Sequence, residues 1–67
     1  MDVTGKKVTV LGARRSGIAV AELLSEAGAS VFVSELGTLG AFESARLHAL
    51  QIPYEEGGHT ENVFAAD

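Results

Sequence analysis

The residues whose types and spacing could do chemistry are Gly12, Arg14, Ser16 and Gly17, with Glu35 further along. Gly12 and Gly17 bound a short turn that follows the β-branched run Val8–Leu11 and precedes a helical pattern. A strand that runs into such a turn aims consecutive backbone N–H groups and the positive end of a helix dipole at one point, which suits a phosphate. A second strand, Ala29–Ser34, ends at Glu35, whose carboxylate could meet the sugar of the same ligand. The fingerprint of a dinucleotide site, G-x-G-x-x-G, would place glycine at position 14, and the chain has Arg14 there. A guanidinium at that position moves the ligand outward or contacts a phosphate itself. Solvent exposure is the plainer expectation for the side chains of Arg14 and Arg15. No Walker loop is formed, because Ile18-Ala19 follows Gly17 where Lys-Ser/Thr would be needed.

These residues need a scaffold, and the pattern supplies a βαβαβ order. Ser16 is the expected N-cap of a helix running to about Ala27. Ile18, Ala21, Leu24 and their neighbours recur at helical spacing, and Gly28 is placed to end the helix in the left-handed region. Gly17, Ala19 and Ala21 would let this helix approach the sheet closely. So short a connection to Val31–Val33 requires parallel strands with a right-handed crossover. After the glycine-bearing loop 36–40, a second helix is expected from Ala41 to Leu50, with Phe42, Ala45 and Ala49 on one stripe and Leu47 and Leu50 beside it. Gln51–Glu55 reads as a short third strand that Pro53 confines to an edge or a strand start. Thr60 can cap a short helix over 61–65. Phe42, Tyr54 and Phe64 are expected in the core or at its edge. The fold class is α/β: a Rossmann-like, three-layer βαβαβ unit with a short parallel sheet. Residues 1–67 form one nucleotide-binding segment, and the pattern reads as the truncated start of a larger domain.

Composition narrows the function classes. The chain has 67 residues, 46% hydrophobic, with net charge −4 and no cysteine. Disulfides and thiolate metal sites are thereby excluded. No basic block suggests a nucleic-acid surface. No apolar run approaches the ~20 residues needed to span a membrane, and no signal-peptide pattern opens the chain, so a cytoplasmic protein is expected. His48 and His59 lack partners at metal-ligand spacing, and neither suggests nucleophilic catalysis with a serine. Glu55 and Glu56 are adjacent on an extended segment and point to opposite faces. With a neighbouring strand missing, one sheet edge would be open, and self-association through it is expected.

Several segments together resemble the Mur ligase family, in its D-glutamate-adding branch. They are Val10-Leu11-Gly12, Arg15 to Ala19, Leu23-Leu24, Gly28-Ala29 and Val31 to Glu35, with Gly57-Gly58-His59 after the third strand and Asp67 where a fourth would open. The resemblance implies a cytoplasmic, ATP-dependent ligase of peptidoglycan synthesis, with Mg expected beside ATP in a central domain. It implies no cofactor in these 67 residues, which would be inactive alone and would bind the UDP part of a UDP-linked muramoyl substrate. On that resemblance the backbone of Arg15, Ser16 and Gly17 faces the diphosphate, and Glu35 with Leu36 approaches the uracil or its ribose. The family commonly has glycine in place of Arg14 and often aspartate in place of Glu35. An NAD-binding module of a dehydrogenase or regulatory protein is the alternative: Glu35 suits a ribose diol and would repel a 2′-phosphate. A βαβ fragment without a ligand is the third.

Overall fold

The structure, a computed structural model, describes residues 2–66. The strand expected to open at Asp67 lies outside the described residues. The elements follow the expected order: β1 (Lys7–Leu11), α1 (Arg15–Glu26), β2 (Ser30–Ser34), α2 (Ala41–Ala49), β3 (Tyr54–Glu55) and a 3₁₀ helix, Glu61–Ala65. The three strands form a parallel sheet in the order β1-β2-β3. Leu11 is registered with Ser34, and Ser34 with Glu55, so the carboxyl ends of all three strands stand in one row. That row carries the site.

Alternation along the strands sorts the two faces of the sheet. Val31 and Val33 are buried in one cluster with Ala13, Ile18, Ala21, Leu47 and Ile52, which brings both helices onto that face. Arg46 of α2 forms an ion pair with Glu22 of α1 over the same cluster. Thr9 and Phe32 belong to the opposite face, where the Thr9 hydroxyl donates to the Val63 carbonyl of the 3₁₀ helix at 3.2 Å. The layers are therefore two helices, the sheet, and a short helix behind it.

Several expectations need correction. The N-cap of α1 is Arg14, not Ser16, and its side chain makes no capping bond. The turn between β1 and α1 is tight enough that the helix has already begun at Arg15. Ala19 is exposed; Gly17 and Ala21 make the close approach to the sheet. Helix α2 turns Leu47 and Leu50 to the core, while Phe42, Ala45 and Ala49 face outward. Phe42 is 63% exposed and Phe64 84%, so neither is a core residue. Tyr54 does pack against the core. Strand β3 is only two residues long, because Pro53 precedes it and offers a carbonyl, to Val33 N–H at 3.1 Å, but no donor.

Both helices end in the same motif. In α1 the amides of Ala29 and Gly28 bond back to Leu24 and Ser25; in α2 those of Ile52 and Gln51 bond back to Leu47 and His48. This is the Schellman pattern, which needs a left-handed residue just past the helix. Gly28 takes that position at φ 93°, as expected, and Gln51 takes it at φ 56°.

Candidate functional site

The site is built at the carboxyl ends of β1 and β2, where open parallel sheets present their ligand crevices. Gly12 leaves β1 at φ 95°, and its amide donates to the Ser34 carbonyl at 2.8 Å. A side chain at Gly17 would fall on the Gly12 carbonyl oxygen, so the first turn of α1 can sit against the strand end only with glycine there. The first intrahelical bond runs from Ile18 N–H to Arg14 C=O at 2.9 Å. The amides of Arg15, Ser16 and Gly17 therefore open the helix without an intrahelical acceptor, and no side-chain cap covers them.

Glu35 closes the other side. Its carboxylate accepts from the Ala13 amide at 2.7 Å and from the Gly37 amide at 2.8 Å. It therefore ties the β1–α1 turn to the β2–α2 loop. The Ala13 amide, and then the Gly37 amide, hold the Glu35 carboxyl below the usual carboxylate range; the charges of Arg14 and His59 act in the same direction. Two adjoining clefts share Arg14 and Glu35. One, of about 290 Å³, follows Gly12, Ser16 and Gly17. The other, of about 440 Å³, runs past Arg15, Gly37 and Thr38 toward the N-terminus of α2. Leu36 is 68% exposed and lines neither. Six of the seven residues singled out thus line these two adjoining clefts: Gly12, Arg14, Arg15, Ser16, Gly17 and Glu35.

Two features escaped the sequence. Ser34 is fully buried, and its hydroxyl lies 2.6 Å from both Glu55 Oε2 and His59 Nδ1. Spacing could not reveal this cluster, because it depends on the β2–β3 register and on the turn through Gly57 and Gly58. It is not a nucleophilic site: Ser34 is inaccessible and donates its proton to a carboxylate. The second is Ser44, Tyr54 and His48, linked by bonds of 3.2 and 2.9 Å, with His48 edge-on to the Tyr54 ring. Glu55 and Glu56 do diverge, Glu55 turning to Ser34 and Glu56 to the Leu39 amide.

A family model described as the MurD N-terminal domain matches residues 7–67. Over its whole length the chain is 78% identical to a UDP-N-acetylmuramoylalanine--D-glutamate ligase of Chlorobium phaeobacteroides strain DSM 266. It is 58% identical, again over its whole length, to the protein of that name in Pelodictyon phaeoclathratiforme. Over 98% of its length it is 46% identical to the one in Chloroherpeton thalassium. The chain spans 14% of the length of each of these relatives. Nothing in these matches favours a dinucleotide-binding dehydrogenase. A parallel sheet whose first turn opens a helix, joined to a family match over 7–67, makes this chain a member of the MurD N-terminal domain family.

Proposed function

We propose that residues 1–67 are the nucleotide-binding segment of a ligase that adds D-glutamate to a UDP-linked muramoyl substrate, and that their cleft takes the UDP moiety. The observation that carries this is the Glu35–Ala13 bond, which joins the end of β2 to the α1 turn. It leaves two adjoining clefts that share the Glu35 carboxylate, with backbone donors along the α1 side. The amides of Arg15, Ser16 and Gly17 meet the diphosphate, where the helix dipole favours negative charge. Arg14 borders both clefts and neutralises phosphate oxygens. Each Glu35 oxygen has a second lone pair beyond the one engaged by backbone, and these accept from the ribose or the uracil. Leu36, exposed and outside both clefts, is given no contact with the ring.

ATP and Mg belong, in this proposal, to parts of the protein outside residues 1–67. The residues present do not fit them: no lysine follows Gly17, and among the described residues no three His, Asp or Glu side chains could hold a metal ion. The family resemblance is what supports a cytoplasmic place for the whole protein; separately, no helix of the described residues is long and apolar enough to cross a membrane. No nucleic-acid partner is proposed for a chain of net charge −4. Separated from the rest of the protein, the segment self-associates along the open edge of β1.

The test is a titration of the full-length protein, isotope-labelled at backbone amides, with UDP and then NAD. Shifts at Gly12 to Gly17 and at Glu35 with UDP but not NAD are expected. The reverse pattern would replace the proposal with a dinucleotide-binding module.

A further inference from the structure

Behind the cleft, one buried polar atom organises the carboxyl ends of β2 and β3. Ser34 is 0% exposed, yet its hydroxyl has two partners, Glu55 Oε2 and His59 Nδ1, each at 2.6 Å. A hydroxyl carries a single proton. The Ser34 hydroxyl, followed by Thr60, holds the Glu55 carboxyl down at about 2, so Glu55 is ionised and can only accept. The Ser34 proton therefore points to Glu55, and Ser34 Oγ accepts in turn from His59. This assigns the ring: Nδ1 of His59 carries a proton whatever the state of Nε2. Thr60, the next residue, donates to the same Glu55 carboxylate through its amide at 2.9 Å and its hydroxyl at 2.6 Å. The loop after β3 is thus fastened to β2 from below.

The backbone of residues 34 and 35 is gripped at the same place. Gly12 N–H bonds to Ser34 C=O, Glu35 N–H to Glu55 C=O at 2.9 Å, and Gly58 N–H to Glu35 C=O at 3.3 Å. We propose that His59 is a positioning residue for the nucleotide cleft: its Nδ1–H, acting through the Ser34 hydroxyl, fixes the end of β2 so that the Glu35 carboxylate meets the Ala13 and Gly37 amides. The effect on affinity rests on the UDP proposal above; the positioning of Glu35 does not, because it exists without ligand.

The experiment uses the full-length protein, labelled at histidine ring nitrogens and at alanine and glycine amides. The His59 ring is expected as the Nδ1–H tautomer when neutral. His59→Asn places an amide N–H where Nδ1 stands and is expected to keep the Ala13 and Gly37 amide shifts and the UDP affinity. His59→Ala removes the donor; it is expected to move both amides and to weaken UDP about tenfold, the size of one lost part-buried hydrogen bond. If that variant fails to fold, His59→Gln, whose donor lies one bond further out, replaces it with the same expectation. An Nε2–H tautomer, or Ala13 and Gly37 amides unmoved when the donor is lost, would overturn the assignment. Failure of the unaltered protein to bind UDP, with the tautomer and amide shifts as expected, would remove the UDP proposal and leave the positioning of Glu35 standing.

Discussion

Gly12 and Gly17 both lie in the phosphate turn, but they are glycine for different reasons. At Gly12 there is open space around a Cβ, and only the backbone angle of 95° is unfavourable. At Gly17 the angle is ordinary for a helix, and a Cβ would strike the backbone of Gly12. Backbone cannot swing aside as a side chain can. Gly17→Ala is therefore expected to cost about 1–3 kcal/mol or more, as overpacking does, and Gly12→Ala about 1–2 kcal/mol from the left-handed conformation alone. Urea unfolding of the two variants measures the order. Glu55 makes a second residue-scale prediction. Its folded pKa, about 2, lies below the ordinary value of 4.5, so its bonds stabilise the fold above that value. The stabilisation fades as pH falls from about 4.5 toward about 2. Acid titration followed by circular dichroism should show this decline, and Glu55→Gln should flatten it. The glycines of the turn were legible in the chain because their spacing is local. The Ala13 partner of Glu35 and the two partners of Ser34 were not, since each of those bonds spans more than twenty residues and exists only once the strands are in register.

At the scale of elements, two helices with one ending and two different residues in it form an internal comparison. Gly28 and Gln51 occupy the same left-handed position of the same motif. For an ordinary residue that conformation costs roughly 1–2 kcal/mol, while glycine adds about 0.4–1 kcal/mol of unfolded-state entropy. Gln51→Gly should therefore stabilise the protein by up to about 1.6 kcal/mol, and Gly28→Ala should destabilise it; paired thermal melts give both signs. Element order and type were readable because the apolar runs and glycine stops agree with one another. For α2 the sequence offers two adjacent apolar stripes. Phe42, Ala45 and Ala49 form one as regular as that of Leu47 and Leu50, and only docking onto the cluster of Ile18, Ala21, Val31 and Val33 decides which is buried. The cap of α1 was misplaced by two residues, since a serine at the start of a helix attracts the assignment even where the turn leaves it nothing to cap.

For the whole molecule, what matters is that β2 is the central strand and β1 and β3 are both edges. Among the described residues β1 pairs with no strand but β2 and so stands at an edge of the sheet. Such an edge templates pairing with another chain. The exposed Leu11 and Phe64 add apolar surface. Sedimentation of the 67-residue chain alone should show a dimer or larger species; a monomer with a sharp thermal transition would refute this. Architecture at this scale was legible from the length and the alternation of strand and helix signals.

The Glu35 brace also gives the cleft a direction. Its carboxylate stays ionised at neutral pH, a fixed negative charge where the two clefts join, while the α1 amides offer a partial positive charge beside it. A phosphate brought to the Glu35 carboxylate would meet repulsion, and a hydroxyl or N–H brought to the helix amides would find only donors. An asymmetric ligand is therefore sorted by its own polarity and enters one way round. The discrimination is made by sign before shape is consulted, and it is carried by a side chain whose hydrogen bonds are all to backbone.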